Sequence, residues 1–154
     1  MEPARYQEFD PARIPEDVRD TGAKARIVTG KTSTGIEGPV RDVATDPFYA
    51  DVRLDAGGVY EEPVDPGKTV MIAVRDGSLH FRDADGKAVT LSAGELGVLM
   101  TGDTVRLEAG SEGATALFLA GRPIREPVAW GGPFVMNTEG EVRQAMLDYQ
   151  AGRF

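Results

Sequence analysis

Between residues 23 and 120 apolar residues recur at every second position or in short unbroken runs, with Gly, Asp and Pro between them. This punctuation predicts strands rather than helices. The runs lie at 25–29, 49–54, 70–74, 78–82, 87–91, 96–100, 104–107 and 114–119. The run at 70–74 is continuously apolar, as a strand covered on both faces would be. Residues 78–82 and 87–91 flank Asp85-Gly86, a strong hairpin signal. Many short strands with regular turns predict an all-β fold, a jelly-roll barrel or sandwich.

The period changes near the end of the chain. Thr138 and Glu141 have the spacing of a capping box, in which each side chain satisfies a backbone amide at a helix start. Val142, Ala145, Met146 and Tyr149 then follow at i, i+3, i+4 and i+7 and form one apolar face. The pattern predicts a helix near 139–151, with Gly152 as its stop. Residues 1–22 carry Pro3, Pro11 and Pro15 and read as an extended arm or linker before a single domain over 23–154.

Composition narrows the function classes. Asp and Glu number 25 against 17 Lys and Arg, a formal charge of −8. That balance repels a phosphate backbone, and no basic run is interleaved with aromatics, so a nucleic-acid partner is not expected. No apolar run is long enough for a membrane helix, and the N-terminus lacks a secretory pattern. There is no cysteine, which removes disulfides and thiolate chemistry. A cytoplasmic protein is expected, and the Gly, Ala and Arg usage points to a GC-rich bacterial gene.

The closing stretch carries the most specific signal. Glu126-Pro-Val and Gly132-Pro-Phe-Val-Met-Asn-Thr138, followed by Asp148-Tyr-Gln-Ala-Gly-Arg-Phe154, resemble the end of pirin-family chains. Pirins are two-domain cupin proteins, and Pro3-Ala-Arg-Tyr-Gln7 with Ile14-Pro15 resembles the stretch that joins their halves. The resemblance implies a cupin-type jelly roll with a short C-terminal helix. It covers nearly the whole chain but only the second half of the family's usual length, as in a fragment or a natural short form.

Metal-binding cupins carry two glycine-framed motifs whose His and Glu side chains converge on one cation. Gly58 and Gly77 fit the frame of the first, and Gly102 and Gly110 that of the second. The ligand positions then hold Val64, Pro66, Val70 and Gly113, none with a side chain that binds metal. By resemblance, iron or another divalent metal and quercetin 2,3-dioxygenase-type chemistry belong to the N-terminal cupin half. This half is expected to be metal-free, with no cofactor and no catalysis of its own. Its expected role is structural, through contacts with another protein or domain: a homodimer or a metal-type cupin partner.

The alternative is a binder of a small aromatic ligand, or part of a quercetinase-type enzyme whose metal lies in the missing half or a partner chain. Val64, Val70, Met71, Met100, Leu117 and Phe118 are the candidate lining of an apolar cavity. Tyr6, Phe9, Trp130, Phe134 and Tyr149 are candidate interface residues, and the last three could also form an aromatic site. Other signals favour bland explanations. His80 is the only histidine and sits on a strand, where a solvent-facing position is expected. A one-histidine metal site would draw on Asp83, Asp85, Glu61 or Glu62. Glu61, Glu62 and Asp65 could form an acid/base pair, although a solvated acidic loop is expected. Asp83-Ala-Asp85-Gly86 lacks the spacing of a calcium loop. Gly30-Lys-Thr32 and Gly67-Lys-Thr69 lack the earlier glycine of a phosphate loop and read as turns.

Overall fold

A computed structural model describes residues 6–82, 86–99 and 102–153. The chain folds as two compact units, divided after Pro123. In the first unit, eight strands form one sheet that folds over itself as an open, cupin-like sandwich. They are β1 (Glu16–Arg19), β2 (Ala23–Thr29), β3 (Phe48–Leu54), β4 (Val59–Pro63), β5 (Thr69–Arg82), β6 (Ala88–Ser92), β7 (Leu96–Leu99) and β8 (Thr104–Gly121). The order β1-β2-β3-β8-β5-β6 is antiparallel throughout, with β4 added beside β8 and β7 beside β5.

β5 and β8 make the sandwich. The C-terminal half of β8 lies between β3 and the N-terminal half of β5, which pairs onward with β7. The N-terminal half of β8 pairs with β4, and the C-terminal half of β5 with β6. Each long strand therefore serves both layers. Their shared register slips between Val74 and Asp76 and again between Gly77 and Leu79. Slips of this kind bend and twist a strand. At the bend Gly77 has φ +70°, and a Cβ there would lie 2.0 Å from the Gly113 carbonyl oxygen. The backbones cross so closely that only glycine fits.

Inward positions alternate along each strand. Ala25 and Ile27, Ala50 and Val52, Ile72 and Val74, and Ala116 and Phe118 are buried, each pair separated by an outward residue. The Phe48 and Phe118 rings meet edge to face, 4.9 Å between centroids.

The period-two reading finds these strands but divides two of them. The runs at 70–74 and 78–82 are one strand, β5, and those at 104–107 and 114–119 are one strand, β8. Gly77, Gly110 and Gly113 look like turn glycines and instead mark bends within strands. β1 and β4 carry no period-two signal because polar groups point inward. In β1, Asp17 is buried while Val18 faces out, and in β4 the buried residues are Tyr60 and Glu62. β1 also lies within the stretch read as an arm, where it pairs with β2.

The second unit is a hairpin and a helix. β9 (Ala129–Gly131) and β10 (Phe134–Met136) pair antiparallel, and α1 spans Glu139–Gln150. Both halves of the capping box form: Thr138 accepts from the Glu141 amide, and Glu141 accepts from the Thr138 amide. The helix lays Val142 and Met146 against the hairpin, where a Cβ on Gly131 would come within 2.6 Å of Val142. Phe134 meets Tyr149 edge to face at 6.1 Å.

Candidate functional site

Two features of the first unit could carry function: a buried polar cluster and an open pocket. The cluster explains the inverted pattern of β1 and β4. Arg19 donates to Asp17 at 2.6 Å and to Glu62 at 2.8 Å, and its guanidinium lies over the Tyr60 ring, 5.0 Å from the centroid. Thr34 donates to Asp17 at 2.9 Å, and the Tyr60 hydroxyl to the same carboxylate at 3.4 Å. Glu62 also accepts from the backbone amide and the hydroxyl of Ser33.

Burial works against the charged guanidinium, but hydrogen bonding to Asp17 and its negative charge outweigh this and hold Arg19 above its ordinary range. Burial, then the charges of Glu62 and Asp17, push the Tyr60 hydroxyl above its usual value. The cluster joins β1, β4 and the loop after β2. Its carboxylates are occupied by donors, so it reads as a structural clamp rather than an acid/base pair.

The pocket, about 730 Å³, lies where the sandwich is not closed. The β5–β8 pairing ends at His80 opposite Glu108. Beyond it, β5 pairs only with β6 and β8 only with β4. The two strands splay and leave a slot. Phe81, Leu91, Leu99 and Val105 form its apolar floor, and His80, Arg82, Thr104, Arg106 and Glu108 line it from outward strand positions.

The residues singled out from the sequence fall elsewhere. Val64 follows β4 and Pro66 lies in an exposed turn, while Val70 is in the core. Gly113 sits at the bend opposite Gly77, whereas Val70 pairs with Ala120. At ~3.3 Å per residue, Val70 and Gly113 are on the order of 20 Å apart along the strands. Glycine spacing thus aligned with the motif frame, but these four positions do not surround one site. The second motif does not turn between its glycines as a motif frame would: Gly110 and Gly113 both lie within the single strand β8, and Gly102 just before it.

The expected apolar cavity is likewise divided. Val70 and Phe118 point inward and are packed, whereas Met71 and Leu117 occupy outward positions. Val64 borders a small cleft of about 200 Å³ with Glu62 and Lys68. Met100 lies outside the described residues, as do Asp83 and Asp85. The pocket that does form was missed because nothing in a linear pattern marks where two strands part.

The acidic trio also separates. Glu61 faces out near Arg106, Glu62 faces in to Arg19, and Asp65 pairs with Arg122. Asp65 also closes its own turn by accepting from the Gly67 amide. His80 is exposed, with its Nδ1 3.1 Å from the Thr90 hydroxyl. Among the described residues no group of three or more His, Asp or Glu side chains is placed to hold a metal.

Of the candidate interface residues, Tyr6 is fully exposed and Phe9 lies under Arg13 at 5.3 Å. Phe134 and Tyr149 are brought together, but Trp130 pairs with Val135 on the other face of the hairpin and is 79% exposed. No helix among the described residues is long and apolar enough to cross a membrane.

Comparison with known proteins identifies the family and the fold. The family model described as the pirin C-terminal cupin domain matches residues 49–154. A pirin-like protein of Caulobacter vibrioides is 47% identical over 149 residues, covering 97% of this chain and 52% of that protein. Human pirin is 33% identical, over 95% of this chain and 49% of its own. The crystal structure of a quercetin 2,3-dioxygenase from Acinetobacter baumannii superposes with a TM-score of 0.84 at 26% identity, covering 99% of this chain and 51% of that one. The chain thus spans about half the length of the relatives it matches.

Proposed function

The chain belongs to the pirin family, and from that premise we propose that it is a docking half, a cupin without a metal centre that packs against a metal-type cupin half. The observation that carries this reading is an apolar band on the outer face of the sheet. Val98 of β7, Met71 of β5, Leu119 of β8 and Tyr49 of β3 lie side by side in register. Leu96, Ala73 and Leu117 form a second row beside them. Met71, Leu96 and Val98 are exposed. A contiguous apolar surface of this kind usually marks a contact.

The donor set supports the same division of labour. The sandwich interior is filled with Ile, Val, Phe and Ala, and its buried carboxylates are bound to Arg19. Flavonol oxidation of the kind named for the Acinetobacter relative would then belong to the partner half, with this half holding it in place. Light scattering at micromolar concentration tests the proposal, on the chain alone and mixed with a metal-type cupin half. Self-association alone, or a one-to-one complex, is expected, and Met71→Lys with Val98→Lys should abolish it. A clean monomer in both samples would sink the proposal.

A further inference from the structure

We infer that the outer face of the sheet also selects its partner by charge, and that the docking surface presents a carboxylate to Arg53. The inference rests on the docking reading above and adds the chemistry of the surface that docks. Only part of the outer face is apolar. The band is centred on β8, β5 and β7, and its rows continue onto β3, β2 and β1 as charged residues. Leu117 stands opposite Asp51, Asp51 opposite Arg26, and Arg26 opposite Glu16. One row further along, Thr115 stands opposite Arg53, and Arg53 opposite Lys24. Paired strands lie about 4.8 Å apart, so a sheet that covers the band also reaches this charged flank.

Much of the flank is matched within itself. Arg75 donates to Asp51 at 2.7 Å, and Lys24 pairs with Glu16 at 3.1 Å. Arg26 donates to the Pro11 carbonyl oxygen at 3.0 Å. The step from Lys24 to Arg53 breaks this order. Two exposed cations stand directly opposite each other on paired antiparallel strands. Opposed like charges destabilise a strand pair, and local conflicts of this kind concentrate at functional sites. A carboxylate brought against the pair relieves the repulsion, and Arg53 can hold it through two parallel hydrogen bonds. Beside a covered apolar band that contact is screened less than on open surface. A second copy of this chain fits less well, because two molecules with a formal charge of −8 each repel at low ionic strength.

The part of the Caulobacter vibrioides pirin-like protein outside the 52% that this chain matches, co-expressed as a separate chain, serves as the probe. Its Kd is measured by calorimetric titration at low and high NaCl, about 0.05 and 0.5 M. A one-to-one complex is expected, weaker at high salt. Arg53→Glu should weaken it by about tenfold or more at low salt, the scale of a close interfacial charge pair, and remove most of the salt dependence. Arg41→Glu makes the same change in net charge at an exposed loop residue paired with Glu37 and should leave the affinity unchanged. A second readout uses the chain alone: Arg53→Gln should raise its urea midpoint, more at low salt than at high. An unchanged or lower midpoint overturns the conflict between Lys24 and Arg53, and with it the reason for a carboxylate. Equal affinity of the wild type and Arg53→Glu, or an equal loss in Arg41→Glu, overturns the charge selection and leaves the apolar band standing. No complex with the wild type at either salt concentration overturns the docking reading and this inference together.

Discussion

Replacing Arg19 by Met removes the only cation among the described residues that reaches the two buried carboxylates Asp17 and Glu62. The Asp17 and Glu62 side chains are 3% and 4% exposed, so water cannot take over the charge that Arg19 now compensates. Breaking a buried ion pair by removing one partner costs about 3–5 kcal/mol, and here one deletion leaves two carboxylates exposed to each other. The upper half of that range is expected. For a chain of 154 residues, where 1 kcal/mol moves Tm by roughly 2–4 °C, the loss corresponds to about 8–20 °C. Urea denaturation followed by far-UV circular dichroism measures it. Tryptophan fluorescence would not, because the single Trp130 lies in the second unit. Arg19→Lys should lie in between, since a point charge cannot fork to both acids. Replacing the triad together, Asp17→Leu, Arg19→Met and Glu62→Leu, should recover most of the loss, because no charge is then left unpaired. A loss below about 1 kcal/mol for Arg19→Met, the scale of an exposed pair, would refute the clamp.

Three further outcomes follow from the same structure. Tyr60 keeps its proton in the folded chain above the pH at which an unfolded tyrosine loses it. Its contribution is therefore complete below pH ~10 and declines as pH rises further. Stability measured from pH 9 to 11 should fall, and Tyr60→Phe should flatten that fall. Gly77→Ala places a Cβ against the Gly113 carbonyl at a left-handed φ and should cost more than about 1 kcal/mol, read as a lower urea midpoint. Thr138→Ala deletes the capping box and should cost roughly 1 kcal/mol, seen as faster amide exchange in the first turn of α1.

Much of this architecture is legible in the linear pattern. Alternation places β2 and β3, and the capping box with its i, i+3, i+4, i+7 residues places α1 within a residue of its observed end. The pattern fails where packing is set by partners distant in sequence. Asp17 and Glu62 look like surface residues until Arg19 is placed between them, so β1 and β4 stay hidden. Gly77 and Gly113 read as turns because sequence does not distinguish a chain reversal from a bend where two strands cross. The same ambiguity let Val64, Pro66, Val70 and Gly113 align with a metal-site frame, although the register sets Val70 and Gly113 far apart. The slot beside Arg82 has no linear signature, since it arises from the end of one strand pairing.

On the reading proposed above, this half carries no metal chemistry of its own. Elemental analysis of the purified chain, exposed in turn to iron, manganese, nickel and copper and assayed for flavonol oxidation in the same samples, tests it most directly. Metal well below one equivalent per chain and no turnover is the predicted result. One tightly held metal per chain with flavonol turnover would contradict it.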